Sequence, residues 1–243
     1  MNKPVMIARR IVLLGVLALA GCAGNPPTGF DYAALIAGAD REVDPRRAQP
    51  RLIAMTGVRP GMRVLDMGAG GGYTTEMLAR AVGSTGKIYA QDSKETIGRV
   101  RERFDGRMKK AVMAPVERIV RDFDDPLPPG VGGLDLITYF FAYHDTAFMP
   151  VDRAKMNRAL FAALKPGGVL VIADHSARAG AGIGVVKSLH RIEESVVRRE
   201  LEAAGFRLAE EGQFLRNPND PRDEIVFRPK QPVDEFVLKF VRP

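Results

Sequence analysis

Three kinds of side chain stand where they could do chemistry: acids at the ends of apolar runs, glycines behind the first acid, and histidines behind the later runs. Asp66 closes the run Met62–Leu65, and Gly68, Gly70, Gly71 and Gly72 separate it from a helical stretch at Thr74–Arg80. Glycine lacks a Cβ, so such a turn bends sharply and lets a ligand approach the backbone. The helix behind it offers unpaired N–H groups and the positive end of its dipole. A carboxylate at Asp66 would repel a pyrophosphate but could hold an ammonium or hydroxyl group. The combination suits a nucleoside with a positive, amino-acid-like tail.

Asp92 follows a second run, Lys87–Ala90, at a position where a carboxylate can accept both hydroxyl hydrogens of a ribose. Its alternative role is to cap the helix that starts near Lys94. Asp122-Phe123 follows a third run, Val116–Val120, with the loop acids Asp124 and Asp125 close behind. The chain has three His, and all fall after later runs: His144 within Ala142-Tyr143-His144-Asp145, His175 after Asp174, and His190 at the opening of a helical stretch. An imidazole titrates near neutral pH without tuning, which makes His144 the candidate general base, with Asp145 or Asp174 to orient it. Tyr143, His175 and His190 are candidate substrate contacts. The three His with a carboxylate would also make a metal set. No close ligand spacing such as H-x-x-x-H occurs, so no metal is expected.

The elements that must position these groups alternate. Arg46–Thr56 reads as a helix, with Asp44-Pro45 as a break before it. Strands at Lys87–Ala90, Val116–Val120, Leu134–Ala142 and Val169–Ala173 alternate with helices at Thr74–Val82, Lys94–Arg103 and Pro150–Leu164. The nearly continuous apolar run Leu134–Ala142 fits a strand covered on both faces. Leu189–Ala204 reads as one helix, with Leu189, Ile192, Val196, Val197, Leu201 and Ala204 on one face and an i, i+4 pair between Glu194 and Arg198. Phe206–Leu215 and Phe236–Val241 then read as two strands with no helix between them. Alternating strands and helices predict an α/β, Rossmann-like, doubly wound and mostly parallel sheet. The last two strands predict a C-terminal antiparallel hairpin.

With those residues in view, a resemblance emerges. D-x-G-x-G-x-G, filled by Asp66, Gly68, Gly70 and Gly72, resembles the first motif of class I S-adenosylmethionine (SAM) dependent methyltransferases. The nicotinamide fingerprint G-x-G-x-x-G fails at Tyr73 in one frame and at Thr75 in the other. LKPGGVLVIADH, from Leu164 to His175, and the terminal hairpin resemble the same methyltransferases, and the likeness covers residues 45–243. More narrowly, the chain resembles a group of exported bacterial predicted methyltransferases. The resemblance implies SAM as cofactor, its methionine part held by Asp66 and the Gly68–Gly72 turn and its ribose by Asp92. It also implies that Asp122 takes the adenine amino group and Phe123 flanks the ring. The reaction implied is methyl transfer to an O, N or S atom of a small-molecule or lipid-like substrate. Cysteine-nucleophile methylation of cytosine has no available thiol, and the N/D-P-P-Y signature is absent after the fourth strand. The alternatives are a nucleoside-binding protein of the same fold without catalysis, and a nicotinamide oxidoreductase.

The N-terminus is expected to stand apart. Lys3, Arg9 and Arg10 precede an apolar run from Ile11 to Ala20, too short to span a bilayer but right for a signal peptide. Leu19-Ala20-Gly21-Cys22 resembles the bacterial lipobox, in which the Cys is acylated and becomes the first mature residue. The expectation is a signal peptide at 1–21, a lipidated Cys22 with a tether and lead-in at 22–44, and a domain at 45–243. The resemblance implies a protein anchored to a membrane of the cell envelope, outside the cytoplasm. Losing three basic side chains takes the formal net charge from +7 to about +4. With 5 Tyr, 12 Phe and no Trp, the chain offers little of the stacking platform that single-stranded nucleic acid needs. A nucleic-acid partner is not expected.

Overall fold

The cup that positions the site is set by the order in which the strands lie side by side. A computed structural model describes residues 31–32, 50–227 and 229–243. The expected signal peptide, Cys22, the tether and the Asp44-Pro45 break lie outside the described residues. From α1 (Pro50–Thr56) the chain runs through β1 (Arg63–Met67), α2 (Tyr73–Val82), β2 (Lys87–Asp92), α3 (Lys94–Met108) and β3 (Val116–Val120). It continues with β4 (Leu134–Phe140), a short 3-10 turn at His144–Ala147, α4 (Arg153–Ala163) and β5 (Leu164–His175). The chain closes with α5 (Val186–Leu189), α6 (Glu194–Ala203), β6 (Arg207–Gly212) and β7 (Glu235–Val241).

The seven strands form one sheet in the order β3-β2-β1-β4-β5-β7-β6. The β1, β2, β3, β4 and β5 pairings are parallel, and β7 is antiparallel to both β5 and β6. The predicted doubly wound sheet with its terminal antiparallel hairpin is thus the observed one. Strand order reverses between β1 and β4, and an open sheet of this kind binds ligands at that crevice, outside the carboxyl ends of its strands.

Local chemistry explains most boundaries. Ser93, not Asp92, caps α3, accepting from the Thr96 amide at 3.3 Å. Asp152 caps α4 by accepting from the Lys155 amide at 2.9 Å, so that helix starts at Arg153 and not at Pro150. In β4, Leu134, Leu136, Ile137 and Tyr139 are buried, each side chain contributing about 1.5–3 kcal/mol of apolar burial. The strand β5 begins at Leu164, ahead of the Pro-Gly-Gly turn. The Gly167 amide donates to Arg242 O and the Arg242 amide to Gly168 O, which carries the ladder through the turn. The expected Glu194–Arg198 pair forms at 2.8 Å.

The single helix expected at Leu189–Ala204 is two. A turn at His190–Glu193 separates α5 from α6. Arg191 is pulled inside to Asp220 at 2.7 Å and to Glu224 O at 2.9 Å, while the Ile192 amide donates to His175 O at the end of β5 and Ile192 O accepts from the Ala177 amide. These long-range partners outweigh one turn of helix.

Candidate functional site

The strand β1 delivers Asp66 to the crevice, and the chain turns through Gly68, Gly70 and Gly72 at φ 61°, 56° and 79° before α2 starts. These left-handed values favour glycine. Two positions are also crowded. A Cβ on Gly72 would stand 2.8 Å from the Phe104 ring, and one on Gly68 2.9 Å from Ala142 Cβ. Over Gly70 nothing but Gly68 O lies within 4 Å, so open space faces the middle of the turn. Most of the turn's amides are already used. Gly68 donates to Gln91 Oε1, Ala69 to Gln91 O, Gly70 to Asp92 Oδ2 and Gly72 to Ala69 O. The turn therefore offers close approach more than a ring of free donors.

Asp66 is buried and accepts from Thr75 Oγ1 at 2.6 Å and from Thr138 Oγ1 at 2.8 Å. Thr138 is its register partner on β4, so this carboxylate fastens β1 to α2 and β4. Burial raises its pKa to about 6, against the pull of the two hydroxyl bonds.

Asp92, at the tip of β2, is also buried. Its Oδ2 takes the Gly70 amide at 3.0 Å, while Oδ1 has no hydrogen-bond partner among the described residues. Burial, opposed by the Gly70 bond and reinforced by the nearby Asp66 charge, raises its pKa to about 7. At the tip of β3, Asp122 is exposed and Phe123 is buried. The Phe123 ring stacks on Tyr139 at 6.2 Å and reaches to 3.8 Å from where a Gly68 Cβ would be. Asp92 and Phe123 thus both touch the turn residues, and Asp122 sits at the neighbouring strand end.

A second cluster lies beyond β4 and β5. Asp174 Oδ1 meets His144 Nδ1 at 2.7 Å, and Asp174 Oδ2 takes the His144 amide at 2.9 Å. On the other side of the ring, His144 Nε2 lies 3.2 Å from His190 Nδ1 and 3.1 Å from Asp145 Oδ1. Burial alone would lower the His144 pKa, but Asp174 and Asp145 overcome it and raise it to about 10. His190 shifts the other way, lowered by burial and by the neighbouring His144 charge. His175 departs from this group. Its Nδ1 faces Glu235 Oε1 at 2.9 Å, its register partner on β7, but out of line for a hydrogen bond. Tyr143 is buried, donating to Glu200 at 2.7 Å and accepting from Asn157 at 2.8 Å. Two non-glycine residues in left-handed conformation, Phe141 (φ 58°) and His190 (φ 53°), border this cluster. Such strain concentrates at functional sites.

The structure therefore groups the sequence-predicted residues in two places. Asp66, Gly68, Gly70, Gly72, Asp92 and Phe123 form the cup, with Asp122 at its edge; His144, His190 and Asp145 gather beyond it. His175 rings the same pocket at 5.7 Å from His144 but turns its Nδ1 to Glu235. Sequence reasoning missed Gln91, which joins the turn to Arg121 O at 2.8 Å, and Glu76, whose buried carboxylate meets Arg80, Arg107 and Lys110. A Gln beside a strand-end Asp and an acid in a first helical turn are the only signals either leaves.

The strand order, the reversed last strand and the glycine cup at the switch point define a class I SAM-dependent methyltransferase fold. Residues 64–168 match the model of the methyltransferase domain family. The fold aligns with a SAM-dependent methyltransferase from Aquifex aeolicus at a TM-score of 0.59 and 22% identity, over 88% of this chain and 100% of that one. It also aligns with Aeropyrum pernix fibrillarin, solved with natively bound SAM, at 0.53 and 19%, over 79% and 73%. Ubiquinone/menaquinone biosynthesis C-methyltransferases from Burkholderia multivorans and Cupriavidus necator are each 32% identical, over 51% of this chain and 47% of their own. The chain spans about half the length of these relatives. A third fold neighbour, at a TM-score of 0.61, is a [4+2]-cyclase, so the fold alone does not fix the reaction.

Proposed function

We propose that this chain uses SAM to methylate a small-molecule or lipid-like acceptor at the carboxyl edge of its sheet. The observation that carries this reading is Asp92 Oδ1, buried beside Gly70 without a partner among the described residues. A buried carboxylate oxygen is costly to leave unpaired, and ribose hydroxyls are donors of the right kind. Asp122 and Phe123, at the neighbouring strand tip, would take the adenine, and the open space over Gly70 suits the methionine portion. Asp66 holds the turn in shape through its two hydroxyl bonds, and its remaining lone pairs leave it able to accept from the methionine portion. When bound, SAM supplies an electrophilic methyl group on a sulfonium; the protein supplies alignment.

The relatives' C-methyltransferase activity widens the candidate acceptor atoms from O, N and S to an electron-rich carbon. Phe148 and Phe227 are exposed and pack against His190 at 5.7 and 4.7 Å, an apolar flank that suits a ring-bearing or lipid-like molecule. With Asp174 and Asp145 raising its pKa to about 10, His144 in the ligand-free protein suits hydrogen-bond donation to an acceptor's oxygen better than proton abstraction near neutral pH. That observation favours, as a second reading, a nucleoside-binding protein without turnover. The expected signal peptide and lipidated Cys22 add weight to it, because an envelope location would separate the domain from cytosolic SAM.

Incubating the purified protein with methyl-labelled SAM and an envelope lipid and metabolite extract separates the readings. A labelled product supports the enzyme. SAM binding without any product supports the binder, and no SAM binding rejects both.

A further inference from the structure

We propose that His144, Asp145 and His190 form a binding site for one divalent transition-metal ion of the zinc class. Their facing atoms make a nearly equilateral triangle. His144 Nε2 is 3.1 Å from Asp145 Oδ1 and 3.2 Å from His190 Nδ1, and His190 Nδ1 is 3.3 Å from Asp145 Oδ1. An ion about 2.05 Å from each, the usual Zn–N and Zn–O distance, would sit about 0.9 Å above that triangle with ligand–metal–ligand angles of about 100°. Those angles are close to tetrahedral and leave the fourth position open. An octahedral face at the same distance would need its ligand atoms only about 2.9 Å apart, so the triangle fits the four-coordinate ion better. Two imidazoles and one carboxylate also favour a transition ion over magnesium or calcium.

Three further features agree. Asp174 Oδ1 meets His144 Nδ1 at 2.7 Å, the outer-shell carboxylate that turns the opposite nitrogen of a metal-binding histidine toward its ion. Asp145 Oδ1 is buried and lacks a hydrogen-bond partner among the described residues. His190 is held in the left-handed region, where non-glycine residues are uncommon, and that conformation places its Nδ1 at the third corner. Asp145 and Asp174 together would balance a charge of two. The site stands on these distances and does not require the methyl-transfer reading; where both hold, the open position would polarise an acceptor hydroxyl beside Phe148 and Phe227.

The test uses the full chain, stripped with chelator and titrated with Co2+ as a visible probe. One equivalent should produce saturating d–d bands of four-coordinate intensity, and Zn2+ should displace it. His190→Asn, which tolerates the left-handed backbone, and Asp145→Asn, on a side chain that is partly exposed apart from Oδ1, should each weaken binding by more than about tenfold. Both substitutions leave the sheet core intact, and circular dichroism on each checks folding. No saturable absorbance up to millimolar Co2+, or equal affinity in wild type and both folded variants, overturns the site.

Discussion

Asp92 accepts the Gly70 amide through one carboxylate oxygen at 3.0 Å and leaves the other buried and unpaired among the described residues. One side chain thereby shapes the glycine turn and presents an acceptor to whatever the turn encloses. Replacing Asp92 by Ala should weaken SAM binding by about 1.5–3 kcal/mol, the range for lost hydrogen bonds to a charged group. Calorimetry on the folded variant reads this directly. An unchanged affinity would remove Asp92 from the ribose site.

The same carboxylate should couple binding to protons. Its folded pKa is raised to about 7 by burial, with the Asp66 charge adding to the effect, from an ordinary value of 3.8. Between those values the folded protein holds a proton that the unfolded chain has lost. Stability from this group therefore falls as pH rises through the window, and the charged form is a net cost above about 7. Asp66, raised to about 6, acts in the same direction. Ribose hydroxyls favour the ionised form, so SAM binding near pH 6 should release a fraction of a proton, and almost none above pH 8. Calorimetry in buffers of different ionisation enthalpy measures the release. Asp92→Asn should abolish most of it while raising the melting temperature of the ligand-free protein at pH 8.

The cup was legible from sequence because its parts obey local rules. Glycines must be where φ is positive, and acids at the ends of parallel strands must meet at one edge once the strands alternate with helices. What remained hidden depends on distant partners. Leu189, Ile192 and Val196 fit a continuous helix, and the break shows only through distant partners, Asp220 and Glu224 for Arg191 and the end of β5 for Ile192. That break sets His190 beside His144. Glu76 likewise reads as an ordinary first-turn acid until Arg107 and Lys110 close over it.

Glu76 offers a test of that hidden network. Its carboxylate is fully buried and meets Arg107 at 2.5 Å, Arg80 at 2.8 Å and Lys110 at 2.9 Å. Burial would raise its pKa, but Arg80, Lys110 and Arg107 together lower it. The stabilisation is thus present above the ordinary value of 4.5 and is lost as pH falls through the lower folded value. Glu76→Ala leaves three cations facing one another and should cost about 3 kcal/mol, the low end for a broken buried pair because Arg80 and Lys110 keep some water. Denaturant unfolding at pH 7 measures it. A loss under about 1 kcal/mol would mean that the cations simply turn outward.

Cys22 lies outside the described residues, and the proposal that it anchors the protein rests on the lipobox-like Leu19-Ala20-Gly21 before it. On that proposal, Cys22→Ala should shift the protein from the membrane fraction and abolish labelling by palmitate, without changing SAM affinity in the purified domain. Membrane retention by the variant would show that something other than an acyl chain holds it.

On the proposed function, His144 should separate binding from turnover. It lies beyond β4, away from Asp92, and its contacts are Asp174, Asp145 and His190, not the glycine turn. Removing its ring should therefore leave SAM affinity within about twofold, a change of about 0.4 kcal/mol. Turnover on an identified acceptor should fall by at least about a hundredfold, whether the imidazole acts as a donor or holds an ion that does. His144→Gln keeps polarity and approximate volume, so a lower melting temperature need not accompany the loss. If the variant stays folded and turns over at the wild-type rate, the reacting atoms lie elsewhere along the sheet edge. The Asp92 and Asp122 end of the crevice would then hold the whole of the chemistry.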